Sequence, residues 1–382
     1  MFNINNMYKY LLLFPFTYYI FILYKIYKLK YSKKISGIDK YMMKYINEST
    51  IYNSILLNKD TNIDLYINSV RNKLNEINLV DRSIIELKNN ITDDDETKLY
   101  NEPYTTNDPP FKLIFDTSNK ILWIMANHAY IDGFTMMNTV NKILDIDIND
   151  TYNIKLPEFT YIPIFTDYII IRTVYDYCNI KPASLKLLDN LNESNSSNQV
   201  MKKIRNIFHL KFKLDIKNNN FMQIMIWNIT QIFFDIFPNS EYFNVGILFA
   251  INNPNKINNV SMILVNINKN DTINDIGNKL NNKRHMVLGS YFLMNSIENT
   301  SASKSSIDIM FSSIPAFKSD KHGTAHGAIL PFTSSPIYIF NSKIGNINTS
   351  SVHMRDDYVD YDKFQNTLKK MTDIKLYRIT KL

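Results

Sequence analysis

His128 is followed, four residues on, by Asp132 and then Gly133, and the group sits just past an apolar run from Ile121 to Ala126. An imidazole has a reference pKa close to neutrality, so it can take a proton from a hydroxyl or an amine and return it to a leaving group. In this arrangement Asp132 would brace the local backbone or a nearby cation. Gly133 would allow an unusual φ or a close approach. The competing reading is structural: a strand-to-helix turn in which His128 and Asp132 only satisfy backbone groups.

The elements around the motif can be read from hydrophobic periodicity. Ile121 to Ala126 has the length and composition of a buried strand, and Phe134, Met136, Met137, Val140 and Ile143 recur at helical spacing. Phe111 to Phe115 precedes them as a second strand, joined by the polar turn Thr117 to Lys120, which is a hairpin signal. Upstream, Ile51 to Leu57 is a strand. Ile63, Ile67, Val70, Leu74 and Ile77 then make one helical face. Downstream, helices are expected over Tyr161 to Tyr177, Phe221 to Phe237, Ile273 to Asn282 and Asp362 to Met371. Strands are expected over Tyr242 to Ile251, Val260 to Val265, Ile307 to Phe311, Pro336 to Phe340 and Ile347 to His353. Asp145 to Asp150 reads as a surface loop. The Asn/Ser-rich tract from Asn190 to Gln199 reads as a linker.

The 382 residues carry a net charge of +7, with 45% hydrophobic and 21% charged residues, so a large folded core is expected. The lysines are dispersed instead of forming a basic block, which argues against a nucleic-acid partner. Their one concentration, Lys25, Lys28, Lys30, Lys33 and Lys34, follows the uncharged segment Tyr10 to Tyr24. That segment is short for a bilayer span, but snorkelling lysines and interfacial tyrosines could extend it. Residues 10–24 are therefore expected to hold the chain in a membrane as a single pass, with the rest facing the cytoplasm. The single cysteine, Cys178, excludes an intrachain disulfide, fits a reducing compartment and reads as a small buried hydrophobe.

The order of these features resembles the His-x-x-x-Asp-Gly acyltransferases. That superfamily is chloramphenicol acetyltransferase-like and includes condensation domains and bacterial wax ester synthase/diacylglycerol acyltransferases. The last group is the most similar. Its opening is matched by Gly37 to Met43 with Asp39, and its element before the hairpin by Pro109-Pro110-Phe111. Its double-histidine motif is matched by Asn127-His128 through Asp132-Gly133, with Asn127 in place of the first histidine. An Asn-Asp element is approximated by Asn220-Phe221, and a Ser-Asn-Val-Pro-Gly segment by Ser312 to Ala316.

The resemblance implies a mixed α/β fold: two chloramphenicol acetyltransferase-like lobes, each a mixed sheet flanked by helices, with a tunnel between them. The division would be an anchor with its basic flank at 1–34, a first lobe at 35–189, a linker at 190–206 and a second lobe at 207–382. It further implies an O-acyltransferase that moves an acyl group from a thioester, in particular acyl-CoA, to a hydroxyl of a lipid or alcohol. His128 would be the general base, Asp132 structural, and Asn127, Ser313 and Asn220 substrate-binding. No cofactor and no metal are implied. Two alternatives stand beside it: condensation-type transfer to an amine, and a catalytically inactive membrane-bound interaction protein of the same fold, for which Asn127, Phe221 and Ala316 would speak.

The other candidates read more simply as structure. His322 and His326, flanked by Gly323 and Gly327, read as a surface loop and not as a zinc site. His353 reads as a satisfied strand residue, His209 and His285 as surface, and Asp93 to Glu96 as a solvated loop. No Gly-x-Ser-x-Gly elbow, phosphate-binding loop or dinucleotide fingerprint is present.

Overall fold

The computed structural model describes residues 50–77, 83–101, 108–109, 111–128, 133–144, 163–186, 206–212, 221–252, 260–296, 306–313, 322–329, 335–344, 347–355, 357–370 and 374–381, short strand pieces at 147–148, 154–155, 202–203, 317–318 and 332–333, and the helical residues Thr17, Ile20, Phe21 and Tyr24. In chain order the first elements are β1 (Thr50–Leu57), α1 (Ile63–Glu76), β2 (Ser83–Lys88), α2 (Asp93–Asn101), β3 (Phe111–Asp116), β4 (Ile121–Asn127), α3 (Gly133–Leu144), β5 (Asp147–Ile148), β6 (Ile154–Lys155) and α4 (Pro163–Cys178). Next come β7 (Lys202–Lys203), β8 (Asn206–Phe212), α5 (Phe221–Ile236), β9 (Tyr242–Asn252), β10 (Val260–Asn268), α6 (Ile273–Asn282) and α7 (His285–Ser296). The chain continues through β11 (Ile309–Ser313), β12 (Phe317–Lys318), β13 (His322–Ile329), β14 (Phe332–Thr333), β15 (Ile337–Ile344), β16 (Ile347–Met354), α8 (Tyr361–Lys369) and β17 (Ile374–Lys381).

Two mixed sheets organise these elements. The first has five strands in the order β13-β1-β4-β3-β2, antiparallel except for the β2–β3 pair. Its strands are apolar on both faces because both are covered. On one face Ile51, Ile55, Leu122, Ile124 and Ala126 pack against α1 and α3 through Ile67, Val70, Leu74, Met136, Val140 and Ile143. On the other, Tyr52, Trp123, Met125 and Ile114 meet Leu99 of α2.

The second sheet runs β10-β9-β11-β15-β16-β8-β17, with β9, β11 and β15 parallel. Its core is built with α5, α6 and α8, where Phe208, Phe233 and Phe364 interlock. Asp308 ties this sheet to the chain leaving α4, accepting hydrogen bonds from Leu185 N (2.7 Å) and Asn244 N (2.8 Å).

The sheets are joined in two ways. β13 leaves the second part of the chain to become the edge strand of the first sheet, where it pairs with β1 and lies against β15 and β16. Phe340 of β15 packs into the first core while its ring stacks on Tyr338 at 4.5 Å. Truncating this bridging ring (Phe340→Ala) is expected to cost about 3–5 kcal/mol of stability. A lowered denaturant midpoint in chemical unfolding would register the loss.

The sequence expectations for β1, α1, β3, β4, α3, α4, α5, β9, β10, α6, β15, β16 and α8 agree with the structure within a few residues at the ends. Several others are corrected. Residues 147–148, expected in a surface loop, form β5 and pair with β12. Asp93 to Glu96 is the first turn of α2, capped reciprocally by Thr92 and Asp95, and Glu96 is buried. Cys178 is exposed, not buried. His285 is not a free surface residue: it opens α7 and its Nε2 meets Asp176 Oδ2 at 2.7 Å. The span expected at residues 10–24 lies outside the described residues apart from Thr17, Ile20, Phe21 and Tyr24. Among the described residues no helix is long and apolar enough to cross a membrane.

Candidate functional site

The β3–β4 hairpin positions the histidine. At its turn Lys120 adopts a positive φ of 54°. Asp116, at the end of β3, accepts hydrogen bonds from the backbone N–H groups of Asn90, Ile91, Ser118 and Asn119 at 2.9–3.1 Å. It also accepts from Asn119 Nδ2 at 2.8 Å. Burial pushes the Asp116 carboxyl up, but these donors outweigh it and hold the group below the ordinary carboxylate range. β4 then runs through the middle of the sheet, clamped on one side by β1 in the register Thr50↔Asn127 through Leu56↔Ile121. His128 follows its last residue, in the turn before α3. The histidine is thus delivered by a central strand fixed on both sides.

Three groups near this end of the sheet and on α3 are left unmet. Thr50 Oγ1, His128 Nδ1 and both amide atoms of Asn141 are buried with no hydrogen-bond partner among the described residues. Thr50 lies directly across from Asn127, next to His128 in the chain, within about 5 Å of strand spacing. His128 is half-buried, so its ring stands at the boundary between core and solvent. The purely structural reading of this histidine required its ring to satisfy backbone groups, and among the described residues Nδ1 satisfies none. Asn141 is 3% exposed on α3, while Met136, Val140 and Ile143 mark the side of that helix that faces the sheet. An unmet buried amide costs about 1–3 kcal/mol, and such sites need a reason. The isosteric change Asn141→Leu is accordingly expected to raise the midpoint of thermal unfolding, while lowering turnover if a substrate is the missing partner.

The remaining predicted site residues are spread over both parts of the chain. Asn127 is fully buried as the last residue of β4. Gly133 is the first residue of α3. Ser313 ends β11 in the second sheet, in register with Asn341 of β15. Asp132 and Asn220 lie outside the described residues. The structure therefore brings Asn127 and His128 together and adds Thr50 to them. Thr50 carried no motif, and only the strand register reveals it. Asn141 could have been noticed as a polar residue within an apolar helix, but its burial depends on what covers α3.

His322 and His326 are not in a loop: they lie on β13, opposite Leu57 and Ser54. Four strand residues separate their backbone positions by about 13 Å. Among the described residues no group of His, Cys, Asp and Glu side chains could hold a metal ion. On the second sheet Tyr338 is half-buried, and desolvation holds its phenol above the ordinary range, against a hydrogen bond with Ser312. His353 stands beside it in register, fully buried and not half-buried, with Nε2 3.3 Å from Ser351 Oγ.

No protein-family model matches the chain, and no curated protein matches it. Solved structures do. The starter condensation domain of rhizomide synthetase RzmA, in a mutant complex with C8-CoA and Leu-SNAC, superimposes with a TM-score of 0.60 at 8% identity, covering 88% of this chain and 92% of that one. The condensation domain of the Monacolin K polyketide synthase MokA gives 0.53 at 10% identity, covering 88% and 94%. An epimerization domain of tyrocidine synthetase B gives 0.54 at 9% identity, covering 88% and 95%. The chain thus has the fold of condensation and epimerization domains, of the chloramphenicol acetyltransferase-like type.

Proposed function

We propose that this protein is an acyltransferase that takes an acyl group from a thioester, with acyl-CoA as donor, and that His128 is its general base. The observation that carries this reading is His128 itself: a half-buried ring after a central strand, with Nδ1 engaged by no group among the described residues. On this reading His128 takes the proton of the acceptor as the acceptor heteroatom attacks the thioester carbonyl carbon. The tetrahedral oxyanion collapses, the carbon–sulfur bond breaks, and the proton passes from His128 to the departing thiolate. The fold supports the reading, because a domain of this architecture holds C8-CoA in the rhizomide synthetase complex.

The acceptor we propose is a hydroxyl of a lipid or alcohol, delivered at a membrane to which residues 10–24 attach the chain. On this reading the protein stands nearest the wax ester synthase/diacylglycerol acyltransferases, and Asp132, Gly133, Asn127, Ser313 and Asn220 take the roles that the resemblance implies. An amine acceptor is the second reading, favoured by the Leu-SNAC bound in the rhizomide synthetase domain. The test is thiol release from a panel of acyl-CoAs by the full-length protein, with long-chain alcohols, diacylglycerol and aminoacyl thioesters offered separately. Release that depends on an alcohol or diacylglycerol supports O-acyl transfer. Release that depends only on the aminoacyl thioester selects the amine, and no acceptor-dependent release across the panel overturns CoA-dependent transfer.

A further inference from the structure

The inner face of α4 is occupied by protein. Thr173 is fully buried, and its hydroxyl donates to Ile169 O at 2.7 Å. Tyr177 Oη and Ser290 Oγ share a hydrogen bond of 2.9 Å. Asp176 pairs with Lys283 as well as with His285. Gly289 of α7 makes this contact close: a Cβ built there would come within 2.7 Å of Thr173 Cβ.

The outer face has no such cover. Tyr168, Ile171 and Tyr175 are 55%, 66% and 66% exposed, and Val174 beside them is 41% exposed. Cys178 is exposed as well, three residues past Tyr175. Steps of three and four residues put Tyr168, Ile171, Tyr175 and Cys178 on a single helical stripe. Among the other described residues between 50 and 382 the exposed large apolar ones are the scattered Leu65, Ile84 and Leu87. Ile20, Phe21 and Tyr24 form a second helical stripe, and they too are exposed. Both stripes are open at once, so neither covers the other.

The exposed charged residues described beside the α4 stripe are cationic. Arg172 is exposed and is steadied by the Tyr168 hydroxyl at 2.7 Å. Lys181 and Lys186, just beyond the helix, and Arg284, beside Asp176's partners at the start of α7, are also exposed. Asp176, by contrast, is turned inward to Lys283 and His285.

We infer that the outer face of α4 rests on an anionic lipid surface. Tyr168, Ile171, Val174 and Tyr175 enter the boundary between headgroups and acyl chains, as in helices that lie in the interface plane. The tyrosines suit that depth, and Arg172, Lys181, Lys186 and Arg284 meet the lipid phosphates. α4 has 16 residues and lies along the surface without crossing it. The inference needs neither acyl transfer nor a spanning segment at residues 10–24.

Cys178 is the chain's single cysteine, so a fluorophore attached to it reports on this stripe alone. The full-length protein, labelled there, is reconstituted with phosphatidylcholine vesicles, with or without phosphatidylserine. Some of the lipid carries a spin label near the head of the acyl chain. The label is expected to be quenched, most strongly on the anionic vesicles. The double substitution Ile171→Glu/Tyr175→Glu, at exposed positions that leave the fold intact, is expected to weaken partition of this face roughly tenfold or more and to release the quenching. A label that stays unquenched in the wild type, or is quenched equally in the variant, overturns the inference. So does a concentration-dependent emission shift without vesicles, which would identify a second copy of this chain as the partner. Thiol release measured on the same vesicles separates the readings, since transfer can fail with quenching intact, and the reverse.

Discussion

His128→Ala is expected to lower acceptor-dependent thiol release by roughly two to four orders of magnitude, the usual contribution of a positioned general base. Far-ultraviolet circular dichroism and thermal unfolding should be unchanged, because the ring is half-buried and Nδ1 holds no partner among the described residues whose loss would destabilise the fold. A residue that merely filled the β4–α3 turn would behave in the opposite way, with stability falling and any activity scaling with folded protein. His128→Gln, which keeps a hydrogen-bonding group but cannot shuttle a proton, should be nearly as inactive as alanine. If glutamine retained most of the rate, His128 would be a binding group, and the base would have to be sought elsewhere.

The elements around this histidine were legible in the sequence because each is a periodic run with clear ends. β4 and α3 are a buried strand and an apolar helix on either side of a turn, and no long-range partner is needed to recognise them. What was not legible depended on contacts across the chain. β13 has glycines at 323 and 327 that read as a loop, and it becomes a strand because β1 offers it an open edge. The pairs 147–148 and 317–318 are too short to show a pattern and are strands only through each other. Cys178 was expected in a core, and its exposure follows from the phase of α4, whose packed side is set by Gly289 and Thr173. The same logic governs the site. A motif found His128, whereas Thr50 and Asn141 emerged only when register and burial showed polar atoms without partners.

Asp116 is the residue on which the delivery of β4 depends most, and Asp116→Ala is expected to cost about 3–5 kcal/mol. Its carboxylate gathers four backbone N–H groups and the Asn119 amide, tying the end of β2 and the entry to α2 to the hairpin turn. Alanine leaves those donors facing a void, and Asp116 is 1% exposed, so water reaches them poorly. Asp116→Asn should fall between wild type and alanine, because one carbonyl oxygen still accepts while the amide N–H₂ confronts other donors. The pH dependence separates this carboxylate from a generic packing loss. Its native pKa lies below the ordinary value, so its stabilising effect is fully present above the unfolded pKa of about 3.9 and is lost as pH falls through the native pKa. Urea unfolding of wild type and Asp116→Ala, followed from pH 7 down to pH 3, should therefore give two curves that converge on acidification. A gap that stayed constant over that range would show that Asp116 acts by shape alone. Because the hairpin fixes the turn that carries His128, the alanine variant should also lose acyl transfer at temperatures where it is still folded, and His128 would be misplaced without being touched.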